Sequence, residues 1–192
     1  MNAVAVSLQK PPKYRTMDET IKKALWSQFG AAIDMMERAI QACPDEVWGD
    51  MTKKPGWVAT DVVGFWYLAS HCLFFLDLYL SGTLEGFAPP PPFGMEEMDP
   101  AGLLPELPYS KEQLQMYLNH CRNKARTTIA TLTQERANER CSFSWGELSF
   151  LELQLDSMRH VQHHTAQMHL LLRLKTHSAP RWVSKTKVPL AE

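Results

Sequence analysis

The sequence predicts an all-α protein, a four-helix bundle in which a long proline-rich crossover joins the second and third helices. Apolar residues recur at steps of three and four along four stretches, which is the period of an α-helix. Glycine is sparse within those stretches, and strand-like alternation between hairpin turns is hard to find. A chain of 192 residues can bury one core without disulfides. We therefore expect one domain over residues 16–176, with a flexible N-terminal tail at 1–15 and a C-terminal tail at 177–192.

The first helix is predicted to begin with a capping box from Thr16 to Glu19, because the hydroxyl and the carboxylate can satisfy free amide groups at a helix start. It continues to about Cys43, and Pro44 ends it. Its apolar positions share one face, which we expect to lie in the core: Ile21, Leu25, Phe29, Ile33, Met36 and Ile40.

The second helix is predicted to start near Thr60 and to end at Ser81 and Gly82, where glycine can adopt the left-handed cap conformation. Residues 62–80 are apolar over about the length that a bilayer requires. His71 and Asp77 lie inside this run, and polar groups are expensive in a membrane span. The pattern therefore favours the central helix of a soluble core, with no membrane as partner.

The crossover at residues 83–109 cannot sustain a helix or a central strand, because prolines are spread along it. Long loops in compact domains are often lids, binding loops or interface arms. An inert crossover is the alternative, packed by four apolar side chains: Phe87, Phe93, Leu103 and Leu104.

Two more helices complete the predicted bundle. The third opens with a capping box from Ser110 to Gln113 and continues to about Arg136. Its inward set is Leu114, Tyr117, Leu118, Cys121, Ala125, Thr128 and Leu132. The fourth is predicted to run from a capping box at Ser144 to about Thr176, and the chain is expected to fray after Pro180.

Composition excludes some classes of partner. The formal net charge is −1, from 20 Lys and Arg against 21 Asp and Glu, so no surplus of positive charge is present to bind nucleic acid. The four cysteines are scattered singly along the chain and predict reduced thiols in a reducing compartment, the cytoplasm.

The strongest chemical signal is the pair His160 and His164 on the fourth helix. At 1.5 Å rise per residue they lie about one turn apart on the same face, so both imidazoles can reach one metal ion. His163 lies about 100° around the helix from His164, and we expect it at the rim or in solvent.

A third ligand should come from another helix. His71 lies within the apolar second helix, where a buried imidazole requires a partner. The alternative is a core histidine bonded to a carbonyl group. His120 is a weaker substitute, and His169 and His177 lie too far along the fourth helix. Asp156, one turn before His160, could orient an imidazole as carboxylates do around metals, or could simply be solvated.

The segment Leu68-Ala-Ser-His71 and the run from Arg159 to Gln167 resemble the metal-binding motifs of the DinB/YfiT-like superfamily. The resemblance covers residues 16–175 and includes the order of the helices. It implies a four-helix bundle in which His71, His160 and His164 bind a divalent metal ion, zinc or nickel, with water completing the shell. Homodimer formation is a further implication.

One position departs from the superfamily pattern. Many relatives have glycine directly before the glutamine that follows the histidine pair, whereas this chain has Ala166 before Gln167. The resemblance still implies that Gln167 can form a hydrogen bond to a metal-ligating histidine. The ordinary alternative is that Gln167 fills a polar interior position.

Three histidines around a dication leave an open coordination position, which is typical of catalytic sites. Some members of the superfamily transfer or isomerise with low-molecular-weight thiols such as bacillithiol or mycothiol. We therefore expect a metal-dependent enzyme of the thiol transferase or hydrolase type, acting on a small molecule. The alternative is a non-catalytic bundle, a stress or interaction protein that acts as a dimer with adventitious or no metal.

Overall fold

The structure is a computed structural model, and it describes residues 17–49, 64–100, 105 and 107–191. Its helices and strands follow in the order α1 Glu19–Ala42, α2 Asp45–Trp48, α3 Phe65–Ser81, α4 Lys111–Ala130, α5 Gln134–Asn138, β1 Arg140–Phe143, β2 Gly146–Ser149 and α6 Phe150–Thr176. The predicted N-terminal tail, the capping hydroxyl of Thr16 and the helix start near Thr60 lie outside the described residues.

The four long helices α1, α3, α4 and α6 form a bundle, which confirms the predicted fold class. Each of them packs against two others: α3 and α1 both contact α6 and α4. Their buried faces make one apolar core, because hydrophobic side chains lower the free energy of the chain when they leave water. The largest of its fully buried members include Phe29, Ile33, Trp66, Leu73, Leu114, Tyr117 and Phe150.

The predicted crossover also lies between the second and third long helices, α3 and α4. Gly82 ends α3 in the left-handed conformation at φ 79°, and Ser110 starts α4 with the predicted capping box to Gln113. Within the described ranges, no helix is long and apolar enough to cross a membrane. All four cysteines are buried and free.

The predicted start of the last helix at Ser144 is wrong. Residues 140–149 form an antiparallel hairpin in which Arg140 pairs with Ser149 and Phe143 with Gly146. The helix begins at Phe150, and Ser149 forms the capping box with Glu152. Ser144 and Ser149 are each followed by glutamate three positions later, so the capping pattern alone does not distinguish them.

The third long helix is also shorter than predicted. It ends at Ala130, and α5 follows as a separate short helix with Thr133 as its N-cap. In the predicted inward set, Thr128 is only partly buried and Ile129 occupies the core position beside it.

The start of α1 differs from the prediction as well. Asp18 is the N-cap, and its carboxylate accepts from the Thr20 amide at 2.7 Å. Ile21 is 50% exposed, whereas Lys22 is buried and its Nζ donates to the carbonyl oxygen of Ala130 at 3.0 Å. The last carbonyl groups of α4 lack helical partners, so a cation on α1 faces them instead of an apolar side chain.

The segment after α6 packs along α1, so the expectation that it frays is wrong. Val183 forms a small buried cluster with Ala31 and Met35. The indole of Trp26 donates to the carbonyl oxygen of Val188 at 2.8 Å. This segment therefore covers one flank of the bundle without any helix or strand of its own.

Candidate metal centre

Three histidines meet between α3 and α6. His71 lies in the middle of α3, and His160 and His164 lie one turn apart on α6, as the spacing predicts. One ligand atom from each lies within 4.8 Å of those of the other two. The Nε2 atoms of His160 and His164 are 3.0 Å apart. Two helices that pack along each other thus bring these three side chains to one point.

The spacing of the two α6 nitrogens fits a shared metal ion. Zinc–nitrogen bonds are about 2.0–2.1 Å long, so two imidazole nitrogens bound to one ion at 90–109° lie about 2.8–3.4 Å apart. The 3.0 Å between His160 and His164 falls within that range. Neutral imidazole is also a common ligand of zinc and nickel, so the donor set suits such an ion.

Gln167 fixes the tautomer of His164. Its Oε1 lies 2.8 Å from Nδ1 of His164, one turn back along α6. A carbonyl oxygen only accepts, so Nδ1 of His164 carries the hydrogen and Nε2 carries the lone pair. The amide nitrogen of Gln167 contacts Nε2 of His163 at 3.2 Å. The bond to His164 places Gln167 where the hydrogen-bond partner of a metal-binding histidine is normally found.

Glu97 contacts Nδ1 of His71 as Gln167 contacts Nδ1 of His164. Its Oε2 lies 2.8 Å from Nδ1 of His71, and the two side chains are only 14% and 24% exposed. The carboxylate accepts the Nδ1 hydrogen, which leaves Nε2 of His71 with the lone pair. The sequence does not indicate this role of Glu97, because the residue lies in the irregular crossover, where no period shows which side chains face the bundle.

Burial keeps His160 neutral. Loss of solvent, followed by the neighbouring His164 and His71, lowers the pKa of His160 to about 3. A histidine that binds metal must be neutral, so the site holds this ligand in the required state at neutral pH. Nδ1 of His160 is buried and has no hydrogen-bond partner among the residues that the structure describes.

Among the described residues, the other candidates contribute no ligand atom to the cluster. Asp156 is 40% exposed and pairs with Arg159 at 3.7 Å. His163 is exposed, as expected. His120 Nε2 lies 3.4 Å from Asp77 instead. His169 bonds to the backbone of Met35, and His177 caps the end of α6.

Aromatic rings and an open groove surround the histidines. Phe75 contacts both His71 and His160, with ring centroids 4.8 and 5.7 Å away, and Tyr67 lies 5.9 Å from His71. An open groove of about 550 Å³ borders His160. Its described lining comes from α6 alone: Asp156, Arg159, His160, Gln162, His163 and Ala166. The cluster therefore has an apolar wall on one side and solvent access near His160.

Fold and cluster together define a helical-bundle protein with a three-histidine site. The sequence profile of the DinB superfamily matches residues 28–168, and the chain belongs to that superfamily. Among solved structures, it is similar to a DinB-like protein, YjoA of Bacillus subtilis, at 14% identity and a TM-score of 0.56. That match covers 83% of this chain and 97% of the other, and it shows the fold. No curated protein matches the chain.

Proposed function

We propose that this protein binds one divalent metal ion through His71, His160 and His164 and uses it in catalysis. The observation that carries the proposal is the convergence of three ligand atoms within 4.8 Å between α3 and α6. Superfamily membership supports the metal, because the DinB superfamily is commonly metal-binding. Zinc or nickel is the metal that we propose, since imidazole ligands suit both ions.

The arrangement of the residues supports an enzyme rather than a structural metal site. Structural zinc sites use four protein ligands, whereas three protein ligands leave a position for water or substrate. When bound, such an ion supplies Lewis acidity, which lowers the pKa of a coordinated water or thiol. The groove beside His160 has room for a small molecule, and the ring of Phe75 lies 5.7 Å from that of His160.

We propose a reaction of the thiol transferase or hydrolase type on a small electrophilic substrate. The residues of the chain would supply binding and orientation: Gln167 and Glu97 hold the two imidazoles of His164 and His71 in one tautomer. A low-molecular-weight thiol is the proposed second substrate of a transferase.

Metal analysis tests the metal-binding part. Protein purified without a histidine tag should contain one equivalent of zinc or nickel, and His160→Ala should lose it. His120→Ala is the matched control, because His120 lies on α4 beside Asp77 and contributes no ligand atom to the cluster. Substoichiometric metal that is equal in wild type and His160→Ala would refute the proposal and favour the non-catalytic dimer.

A separate assay tests catalysis. Wild-type protein loaded with zinc should accelerate either the conjugation of a thiol to a model electrophile or the hydrolysis of a model ester. Both His160→Ala and prior treatment with a chelator should abolish the acceleration, whereas His120→Ala should retain it. Stoichiometric metal without either activity across such substrates would restrict the function to metal binding.

A further inference from the structure

We propose that Glu97 is the positioning residue of the metal centre and that it couples metal binding to the ordering of the crossover. This inference rests on the proposed metal site. Under this proposal, the crossover is neither an inert connection nor a separate binding loop. Its turn at Glu96–Met98 forms the outer shell of the site on the α3 side.

The turn that carries Glu97 is held in place from within the crossover. The amide of Met98 donates to the carbonyl oxygen of Met95 at 2.9 Å, and that of Asp99 donates to Glu96 at 3.0 Å. Just before the turn, the ring of Phe93 stacks on Tyr117 of α4 at 4.4 Å between centroids. Such aromatic pairs contribute beyond their buried area. The backbone at Glu97 is thus anchored to α4 as well as to α3.

The His71–Glu97 contact joins this turn to the histidine cluster. The ring centroid of His71 lies 5.3 Å from that of His160 and 4.8 Å from that of His164. Nδ1 of His71 contacts Glu97. The imidazole therefore stands between the carboxylate and the proposed ion. A negative charge on its far side makes the imidazole a stronger donor to a cation.

The same geometry makes the coupling act in both directions. The Glu97 carboxylate is 14% exposed, so burial removes much of its hydration, and the one hydrogen bond to His71 replaces only part of it. A dication bound to the opposite side of His71 offsets the remaining cost of burial and so stabilises the docked turn. By thermodynamic linkage, docking of the turn then raises the affinity for the metal by the same factor.

Zinc affinity and amide exchange test the proposal together. Competition with a zinc chelator should give an affinity about 10–100-fold lower for Glu97→Gln than for wild type. Glu96→Gln is the matched control, with the same change of charge one residue earlier on the same turn, and its affinity should equal that of wild type. The absorption spectrum of the cobalt-loaded protein should change for Glu97→Gln only, which a loss of packing would not produce.

Hydrogen exchange measured by mass spectrometry gives a second readout, which does not depend on the measured zinc affinities. Zinc should slow exchange of the amides of Met98 and Asp99 in wild type, and Glu97→Ala should lose this protection. Equal zinc affinity in Glu97→Gln and Glu96→Gln, or wild-type exchange at residues 93–100 that zinc does not change, would overturn the inference while the metal site stands. Absence of zinc binding by wild type would overturn both.

Discussion

Two clusters of buried polar groups lie on α3, and they differ in how completely the protein satisfies them. Towards α4, Asp77 is 1% exposed and receives hydrogen bonds from Lys124 and from the hydroxyl of Tyr117, the latter at 3.2 Å. Lys124 also donates to Ser81 at 2.7 Å. Burial raises the pKa of Tyr117, so its hydroxyl stays a neutral donor. Every charge there faces an opposite charge or a donor.

Towards α6, the histidine cluster brings together groups of the same kind. His71 and His164 each give their Nδ1 hydrogen to an acceptor, so their Nε2 lone pairs are left beside His160. In the absence of metal, Nε2 of His160 can donate to Nε2 of His164 at 3.0 Å, whereas a cation at the same point can be bound by all three imidazoles at once. The difference separates a polar network that supports the fold from one that suits a ligand.

The largest expected effect is on stability, at the Asp77 cluster. Lys124→Met leaves the buried carboxylate of Asp77 without its cation, and such a loss costs about 3–5 kcal/mol of unfolding free energy. Urea unfolding of the metal-free protein measures it. The double variant Asp77→Asn with Lys124→Met should recover most of the loss, because no unpaired charge is then buried.

Metal affinity provides the contrast for that variant. Lys124 lies outside the histidine cluster, so folded Lys124→Met should bind zinc as wild type does. A parallel loss of zinc affinity would mean that the Asp77 cluster and the histidine cluster are one energetic unit, and the contrast between them would be wrong.

The second prediction concerns stabilisation by metal. Zinc at a free concentration of 100 times its dissociation constant should raise the unfolding free energy of wild type by about 2.7 kcal/mol, because it binds the folded state alone. His164→Ala should show no such rise, whereas His120→Ala should show it in full, since His120 lies beside Asp77. An equal rise in all three proteins would place the metal elsewhere.

The third prediction concerns pH. The pKa of His160 is lowered to about 3 in the folded protein, whereas its ordinary value is 6.5. The unfolded chain therefore takes up a proton as pH falls below 6.5 while the folded protein does not, and stability is lost over the window from 6.5 down to about 3.

Urea unfolding in the presence of a chelator measures this dependence. In that window, wild type should lose up to about 1.4 kcal/mol per pH unit more than His160→Gln, which has no titrating group at this position. Identical slopes for the two proteins would show that His160 titrates normally in the folded state.

The sequence predicts the helical parts of this molecule well and its connections poorly. Periodic apolar residues indicate most of the long helices, because a helix face that is buried must repeat with the helical period. The exception is α3, which a nearly continuous apolar run indicates, since it is buried on almost all sides. The hairpin at residues 140–149 was missed, since its strands are only four residues long and lack clear alternation. The packing of the tail on α1, through Trp26 and Val188, depends on tertiary contacts that no local pattern encodes.

The candidate site also has residues that the sequence predicts and one that it does not. The spacing of His160, His164 and Gln167 on one helix places them on neighbouring turns, so their mutual contacts follow from helical geometry. His71 was identified from its place in an apolar helix and from the superfamily resemblance. Glu97 was not, because the path of a proline-rich loop decides which of two adjacent glutamates, Glu96 or Glu97, reaches the histidine.

The smallest effect is expected at Gln167. Gln167→Ala removes the acceptor that fixes the tautomer of His164, and loss of such an outer-shell partner lowers metal affinity about tenfold. Gln162→Ala is the matched control, on the same helix and outside the described contacts of the three histidines, and zinc titration by calorimetry compares the two. Stability without metal should not change, because Gln167 is only partly buried. If both variants bind zinc as wild type does, His164 is oriented by helix geometry alone, and the histidine cluster needs less support from its own side chains than the Asp77 cluster does.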